Sequence, residues 1–431
     1  MSARTPIERR LPGILADLSA APYPDYTDAL LARTASARQR PGWVFPERWL
    51  PVSTVTSAAA AAPRVPWRLV GLIALLILAL AFGAILIAGS RAQPLPAPFG
   101  PAANGLLAYS FGGDIYTADP VTGEATAITT GANVDRDPVW SRDGTRLAFV
   151  RRVAGESADR LFLVRSDGSG LTEITREPKP AIGYLSFSPD GREVLFVDSR
   201  TDGSMHVAKA DGSGVRKIDV GVRASDPLYR PPDGAQILFS GTPPGMDAGG
   251  IYVVNPDGTD LRNLVEAKRT ASAGGATWSP DGSQIAFGDY DMTVQEWTAH
   301  TSVMSADGST VRDLPMADGA KWNFGATWSN DGTRLITVRG YDAYGTSDDV
   351  VAVVPADGSG PGVETTRSGT PDLSWTFAWA PDDTSVVLAK LGDNDRVTEY
   401  QLMDPLTGAV RPTPISVASR PSWQRVAPQG S

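Results

Sequence analysis

Between residues 140 and 383 the chain repeats one phrase six times: an aromatic residue, then Ser, then Pro-Asp-Gly, with variations. The copies are Trp140-Ser-Arg-Asp-Gly144, Phe187-Ser-Pro-Asp-Gly191, Arg230-Pro-Pro-Asp-Gly234, Trp278-Ser-Pro-Asp-Gly282, Trp328-Ser-Asn-Asp-Gly332 and Trp379-Ala-Pro-Asp-Asp383. Their shared aspartates are spaced by 47, 43, 48, 50 and 51 residues. A period of that length with a turn inside every unit predicts a ring of small antiparallel sheets, a β-propeller.

Each unit follows the same grammar. After the first turn comes a short apolar run such as Arg146-Leu-Ala-Phe-Val150 or Gln284-Ile-Ala-Phe-Gly288. Such runs are too short for helices and are bounded by turn residues, so they are expected as buried strands. A further strand (Leu161–Arg165, Ile251–Asn255) leads to a second turn, as at Asp167-Gly-Ser-Gly170 or Asp357-Gly-Ser-Gly360. The Asp-Gly pairs suggest tight primed hairpins, which need positive φ. The segments at Leu106–Ser110, Asp114–Thr117 and Ala125–Ile128 make a blade lacking its first strand, and Pro421-Ser-Trp-Gln-Arg425 is a first strand with no blade behind it. Trp423 is therefore expected to complete the opening blade and leave no open edge. That makes seven blades, or six if the irregular unit at Tyr229–Gly234 is degenerate.

With these motifs the sequence resembles the TolB-type, WD-repeat-like β-propeller family over roughly residues 104–426. The resemblance implies an all-β propeller whose repeated residues are structural. It departs from TolB itself in lacking an α/β domain ahead of the propeller.

From Leu69 to Gly89 the chain carries no charge. As a helix rising 1.5 Å per residue the run matches the roughly 30 Å hydrocarbon core of a bilayer. Arg68 and Arg91 bracket it and Trp67 sits at an interfacial position. Residues 1–68 hold nine Arg and five acidic residues, a net charge of +4, and no Lys or Arg falls between Arg91 and Arg136. The positive-inside rule then places the N-terminus in the cytoplasm and the propeller outside it. The expected organisation is a partly helical or disordered tail (1–66), a transmembrane helix (67–91), a Pro-rich linker (92–103), the propeller (104–426) and a short disordered end (427–431). Since the whole chain carries −9, the part after residue 68 carries −9 − 4 = −13, which argues against a nucleic-acid ligand.

The tail's run Arg38-Gln-Arg-Pro-Gly-Trp-Val-Phe-Pro-Glu-Arg-Trp-Leu-Pro51 mixes arginine with aromatics, a composition suited to an anionic membrane surface. It also resembles the juxtamembrane segment of single-pass bacterial proteins associated with extracytoplasmic-function sigma factors. That resemblance implies a cytoplasmic sigma-factor partner. The chain has no Cys and only His206 and His300, so the partner site would be zinc-free.

The sequence offers no catalytic constellation. No Gly-x-Ser-x-Gly elbow occurs, so the hydrolase half of the propeller-bearing prolyl oligopeptidases is missing. The acidic pairs Asp135/Asp137, Asp289/Asp291 and Asp348/Asp349 have the oxygen ligands calcium uses, but in an acidic, loop-rich chain they are read as solvated charge. No cofactor or metal is expected. In an up-and-down blade both Asp-Gly turns fall on one face, which leaves the irregular connections on the other. Those carry Tyr290, Trp297, Trp322, Tyr341, Tyr344 and Trp375, the candidate ligand-binding residues, or else aromatics folded back over the blade ends. The leading expectation is a membrane-anchored, non-catalytic module outside the cytoplasm that binds a protein, peptide or cell-envelope ligand. A signal transducer with the propeller as sensor and a carboxylate-dependent enzyme are the alternatives.

Overall fold

The computed structural model describes residue 75 and residues 99–427, apart from 176, 178, 180, 200–201, 267–270, 292–297, 343–348, 366–372, 393–395 and 416–418. The chain divides into two units, Met1–Arg91 and Ala92–Ser431. The run expected to span a membrane lies outside the described residues except for Leu75. Among the described residues no helix is long and apolar enough to cross a membrane.

The second unit is a seven-bladed propeller built from seven four-stranded sheets. Six blades are contiguous in sequence and run from inner to outer strand. Their inner strands are Val134–Trp140, Ile182–Phe187, Arg223–Tyr229, Ala271–Trp278, Trp322–Trp328 and Leu373–Trp379. The first blade is composite. Its inner strand is Ser422–Val426 from the far end of the chain, antiparallel to Ala103–Phe111 with Leu107 opposite Trp423 and Ala108 opposite Ser422. Trp423 packs with Leu107, Tyr109 and Val387, so the closing strand joins the first and seventh blades. The irregular unit at Tyr229–Gly234 belongs to a complete blade.

The core is a ring of interblade contacts. Second strands are buried along their length, as in Glu193–Asp198 and Arg334–Gly340, whereas outermost strands such as Ala125–Ala127 are short and exposed. Short exposed edges of this kind limit pairing with other chains. The blade aromatics fix the spacing between neighbours: Trp328 Nε1 donates to Thr277 O at 3.2 Å and Trp379 Nε1 to Thr327 O at 3.1 Å.

The repeated turns are not primed hairpins. Positive φ falls on the glycine of each Asp-Gly pair (Gly144 at 67°, Gly168 at 81°, Gly282 at 68°, Gly358 at 76°) and, in the sixth copy, on Asp383 (60°), while Asp143, Asp167, Asp281 and Asp357 do not take it. The aspartate acts instead as a bracket. Asp143 Oδ1 accepts from Ser141 Oγ at 2.6 Å and from Thr145 N at 3.0 Å, and Asp281 repeats this with Ser279 and Ser283. Ser-x-Asp-Gly is therefore one hydrogen-bonded unit, which is why Ser and Asp recur together.

Candidate functional site

The two ends of the central channel differ in chemistry. At the turn face a cavity of about 380 Å³ is walled by all seven inner strands together with Phe99 and Gly100. At the opposite, irregular face lies a cavity of about 800 Å³ bordered by Arg136, Asp137, Tyr184, Asp226, Phe324 and Arg420. Both share Val139, Leu228, Thr277 and Thr327 as walls, so they are stacked along one axis.

The rim of the larger cavity is made by a fault repeated in every contiguous blade. Each inner strand loses register with its neighbour just before the blade aromatic, as between Arg136 and Val139, Gly183 and Ser186, or Ser225 and Leu228. Five bulged residues lie at positive φ: Asp137 (54°), Tyr184 (55°), Asp226 (49°), Gly275 (63°) and Gly325 (79°). Each stands three residues before its blade aromatic, and Arg420 holds the same position before Trp423. Bulges re-aim side chains and are frequent at functional sites. Positive φ is uncommon for Asp and rarer for Tyr.

The rim is charged and held from behind. Asp159, fully buried, accepts from Arg136 at 2.6 Å, from Arg152 at 2.7 Å and from the Ile182 amide at 3.1 Å. Arg136 also pairs with Asp137 at the rim. A buried carboxylate needs this degree of satisfaction, and losing one partner would strand the other charges. Beside it Arg151 grips buried Asp135 through two bonds of 2.6 Å. Across the rim, burial raises the Asp226 carboxyl above its ordinary range against the pull of Arg420. The Tyr184 phenol is raised by burial and by Asp226, with Arg420 and Arg223 acting the other way. Asp226, Tyr184 and Arg420 therefore form one electrostatic cluster with carboxylate, phenol and guanidinium functions. Among the described residues no three His, Cys, Asp or Glu side chains converge as a metal site.

Of the six candidate aromatics, Tyr290, Trp322 and Tyr341 are not among the residues that border this cavity. Trp322 is fully buried against Ala299 and Val338, its Nε1 donating to Asp342 O at 3.2 Å. Tyr341 is 9% exposed and gives its hydroxyl to Glu364 at 2.7 Å. Tyr290 is half-buried and tilted on Phe324, ring centroids 5.6 Å apart. Trp375 lies on the inner strand Leu373–Trp379, one residue before the bulge position. Trp297 and Tyr344 lie outside the described residues, as does Asp348 of the acidic pairs. Asp137 entered the expectations only as solvated charge in an acidic pair, and Tyr184, Asp226 and Arg420 did not enter them. The available signal was Asp-Pro set two residues ahead of an aromatic, in Asp137-Pro-Val-Trp140 and Asp226-Pro-Leu-Tyr229.

No family model matches the chain. Over 181 residues, 41% of its length, the chain is 24% identical to the uncharacterized peptidase YuxL of Bacillus subtilis, covering 25% of that protein. Over 70 residues it is 33% identical to dipeptidyl-peptidase 5 of Porphyromonas endodontalis, covering 10% of it. The chain thus spans a quarter or less of the curated relatives it matches. Among solved structures, a puromycin-hydrolyzing peptidase of Mycobacterium tuberculosis superposes with a TM-score of 0.51 at 17% identity, over 74% of this chain and 56% of that one. That degree of likeness establishes the shared propeller fold.

These relatives overturn the expectation of a non-catalytic scaffold and of a chain with no part in enzymology. Proteins named as peptidases match part of its sequence, and one of them shares its fold.

Proposed function

We propose that this propeller works in peptide hydrolysis, admitting and orienting the peptide through the charged mouth on its irregular face. The rim cluster carries the reading: Asp226, Tyr184 and Arg420 border a cavity of about 800 Å³, large enough for several peptide residues. Asp226 and Asp137 would take amine or amide N–H groups, and Arg420 would take a carbonyl or carboxylate. The likeness to proteins named as peptidases supports peptides as the substrate class. The uncharged run from Leu69 to Gly89 supports a membrane-anchored setting with the propeller outside the cytoplasm.

The test is to incubate the full chain in detergent with mixed peptides of 4–15 residues and follow them by mass spectrometry and by fluorescence anisotropy. Time-dependent shortening is expected, with Asp226→Asn and Arg420→Gln each lowering cleavage and binding at least tenfold. Peptides neither shortened nor bound, or binding indifferent to both substitutions, would refute it.

A further inference from the structure

The turn-face mouth holds an occupant from the chain itself. Ahead of the first strand, Phe99 and Gly100 lie across the cavity there. The Arg142 guanidinium sits 4.9 Å over the Phe99 ring, and the Gly100 carbonyl accepts a hydrogen bond from Arg425 Nη2. Arg425 is 6% exposed, and its other terminal nitrogen donates to Asn330 Oδ1 at 2.8 Å. Asn330 in turn donates to Asp383 at 2.7 and 2.8 Å. Just downstream, Ala102 N donates to Pro381 O at 2.8 Å and moors the segment to the seventh blade.

Two observations mark this as an occupied site rather than as part of the frame. Blade pairing begins only at Ala103, so the seven sheets are complete without Phe99 and Gly100. Both residues are only half-buried, whereas the arginine that receives them is buried. Burial beside Arg142 lowers the Arg425 guanidinium to about 10, so it remains charged near neutrality and requires acceptors. A buried guanidinium aimed at a backbone carbonyl, next to a second one laid on an aromatic ring, recognises peptide backbone and an aromatic side chain. Gly100 has φ +83°, and a Cβ there would meet nothing within 4 Å. The second position therefore has free space but demands a glycine-like backbone.

We infer that the turn-face mouth is a peptide-binding site for segments with an aromatic residue followed by glycine, occupied in cis by Phe99–Gly100. This leaves the irregular face as the open entrance. The inference needs no hydrolysis and is tested by binding alone. The probe is acetyl-Phe-Gly-Pro-Ala-Ala-amide, matching residues 99–103, followed by saturation-transfer NMR on the full chain. In the parent the tethered copy competes at an effective concentration of about millimolar. In the double variant Phe99→Ala, Gly100→Pro the ring is gone and proline cannot adopt positive φ, which ejects the segment. The double variant should bind the probe at least tenfold more tightly than the parent, with the strongest transfer to the phenyl protons. Adding Arg142→Ala, a change to an exposed turn side chain, should reverse at least tenfold of that gain. Equal binding by parent and double variant, or a gain indifferent to Arg142→Ala, would overturn the inference. An unchanged melting temperature in the double variant shows that the blades are intact.

Discussion

Five glycines occupy the same place in the repeated turn, Gly234 among them, and replacing the other four by alanine should separate two costs that the sequence shows as one. Gly144, Gly191, Gly282 and Gly332 have φ of 67°, 67°, 68° and 73°, so an L side chain pays the same left-handed penalty at all four, about 1–2 kcal/mol. Their surroundings differ. A Cβ on Gly144 would overlap the carbonyl oxygen of Arg425, and one on Gly282 that of Pro231. Backbone carbonyls cannot swing away, and overpacking of this kind adds about 1–3 kcal/mol. At Gly191 the nearest atom is the tip of Arg146, 3.1 Å away, and at Gly332 it is Pro280 Cδ at 3.4 Å. The expected losses are about 1–2 kcal/mol for Gly191→Ala and Gly332→Ala, and about 2–5 kcal/mol for Gly144→Ala and Gly282→Ala. At about 2–4 °C per kcal/mol, the extra cost should make Gly144→Ala and Gly282→Ala melt about 2–12 °C below the other two by circular dichroism of the full chain. Four variants melting together would refute the argument, because the left-handed penalty alone would then explain them.

The raised Asp226 carboxyl makes a signed prediction. Its folded form holds the proton more tightly than the unfolded chain does, so ionisation costs stability once pH exceeds the unfolded value of about 3.9. Asp226→Asn should raise the melting temperature at pH 7 and give no gain at pH 3, while peptide binding falls; a loss of stability at pH 7 would contradict this. The turn aspartates behave oppositely. Burial opposes ionisation of Asp143, Asp281 and Asp331, yet the hydrogen bonds from their Ser and Thr partners hold each below the ordinary carboxylate range. Their contribution is complete above the unfolded value and is lost as pH falls through the depressed one. Melting temperature should therefore drop progressively below about pH 4, and Ser279→Ala should lessen the drop. The anchoring proposal predicts that removing residues 69–89 shifts the chain from the membrane to the soluble fraction; retention in the membrane fraction would contradict it.

Blade number and ring closure were legible because they rest on local chemistry. Ser, Asp and Gly each do one thing in the turn, and the half-blades at Leu106–Ile128 and Pro421–Arg425 are complementary only with each other. The primed-turn expectation failed because Asp-Gly alone does not show that Asp stays at negative φ and uses its carboxylate instead. The rim was hidden because its register position is filled by Asp137, Tyr184, Asp226, Gly275, Gly325 and Arg420, with no letter in common. What the first five share is a backbone fault, which sequence records only as a distance from the next aromatic. Contacts at long range are hidden in the same way: Tyr341 meets Glu364 from 23 residues away, and no local pattern announces such a partner.

The composite first blade makes the synthesis of Ser422–Val426 decisive. Ala103–Phe111 is among the first strands made, yet its inner neighbour Ser422–Val426 follows some 300 residues later. At about 5–20 residues per second, a ribosome needs roughly 15–60 s to cover that distance. Throughout that interval a nascent chain exposes one unpaired edge and an unfilled socket for Trp423. Any product that ends before Ser422 keeps both, so the arrival of Ser422–Val426 is the step that closes the ring.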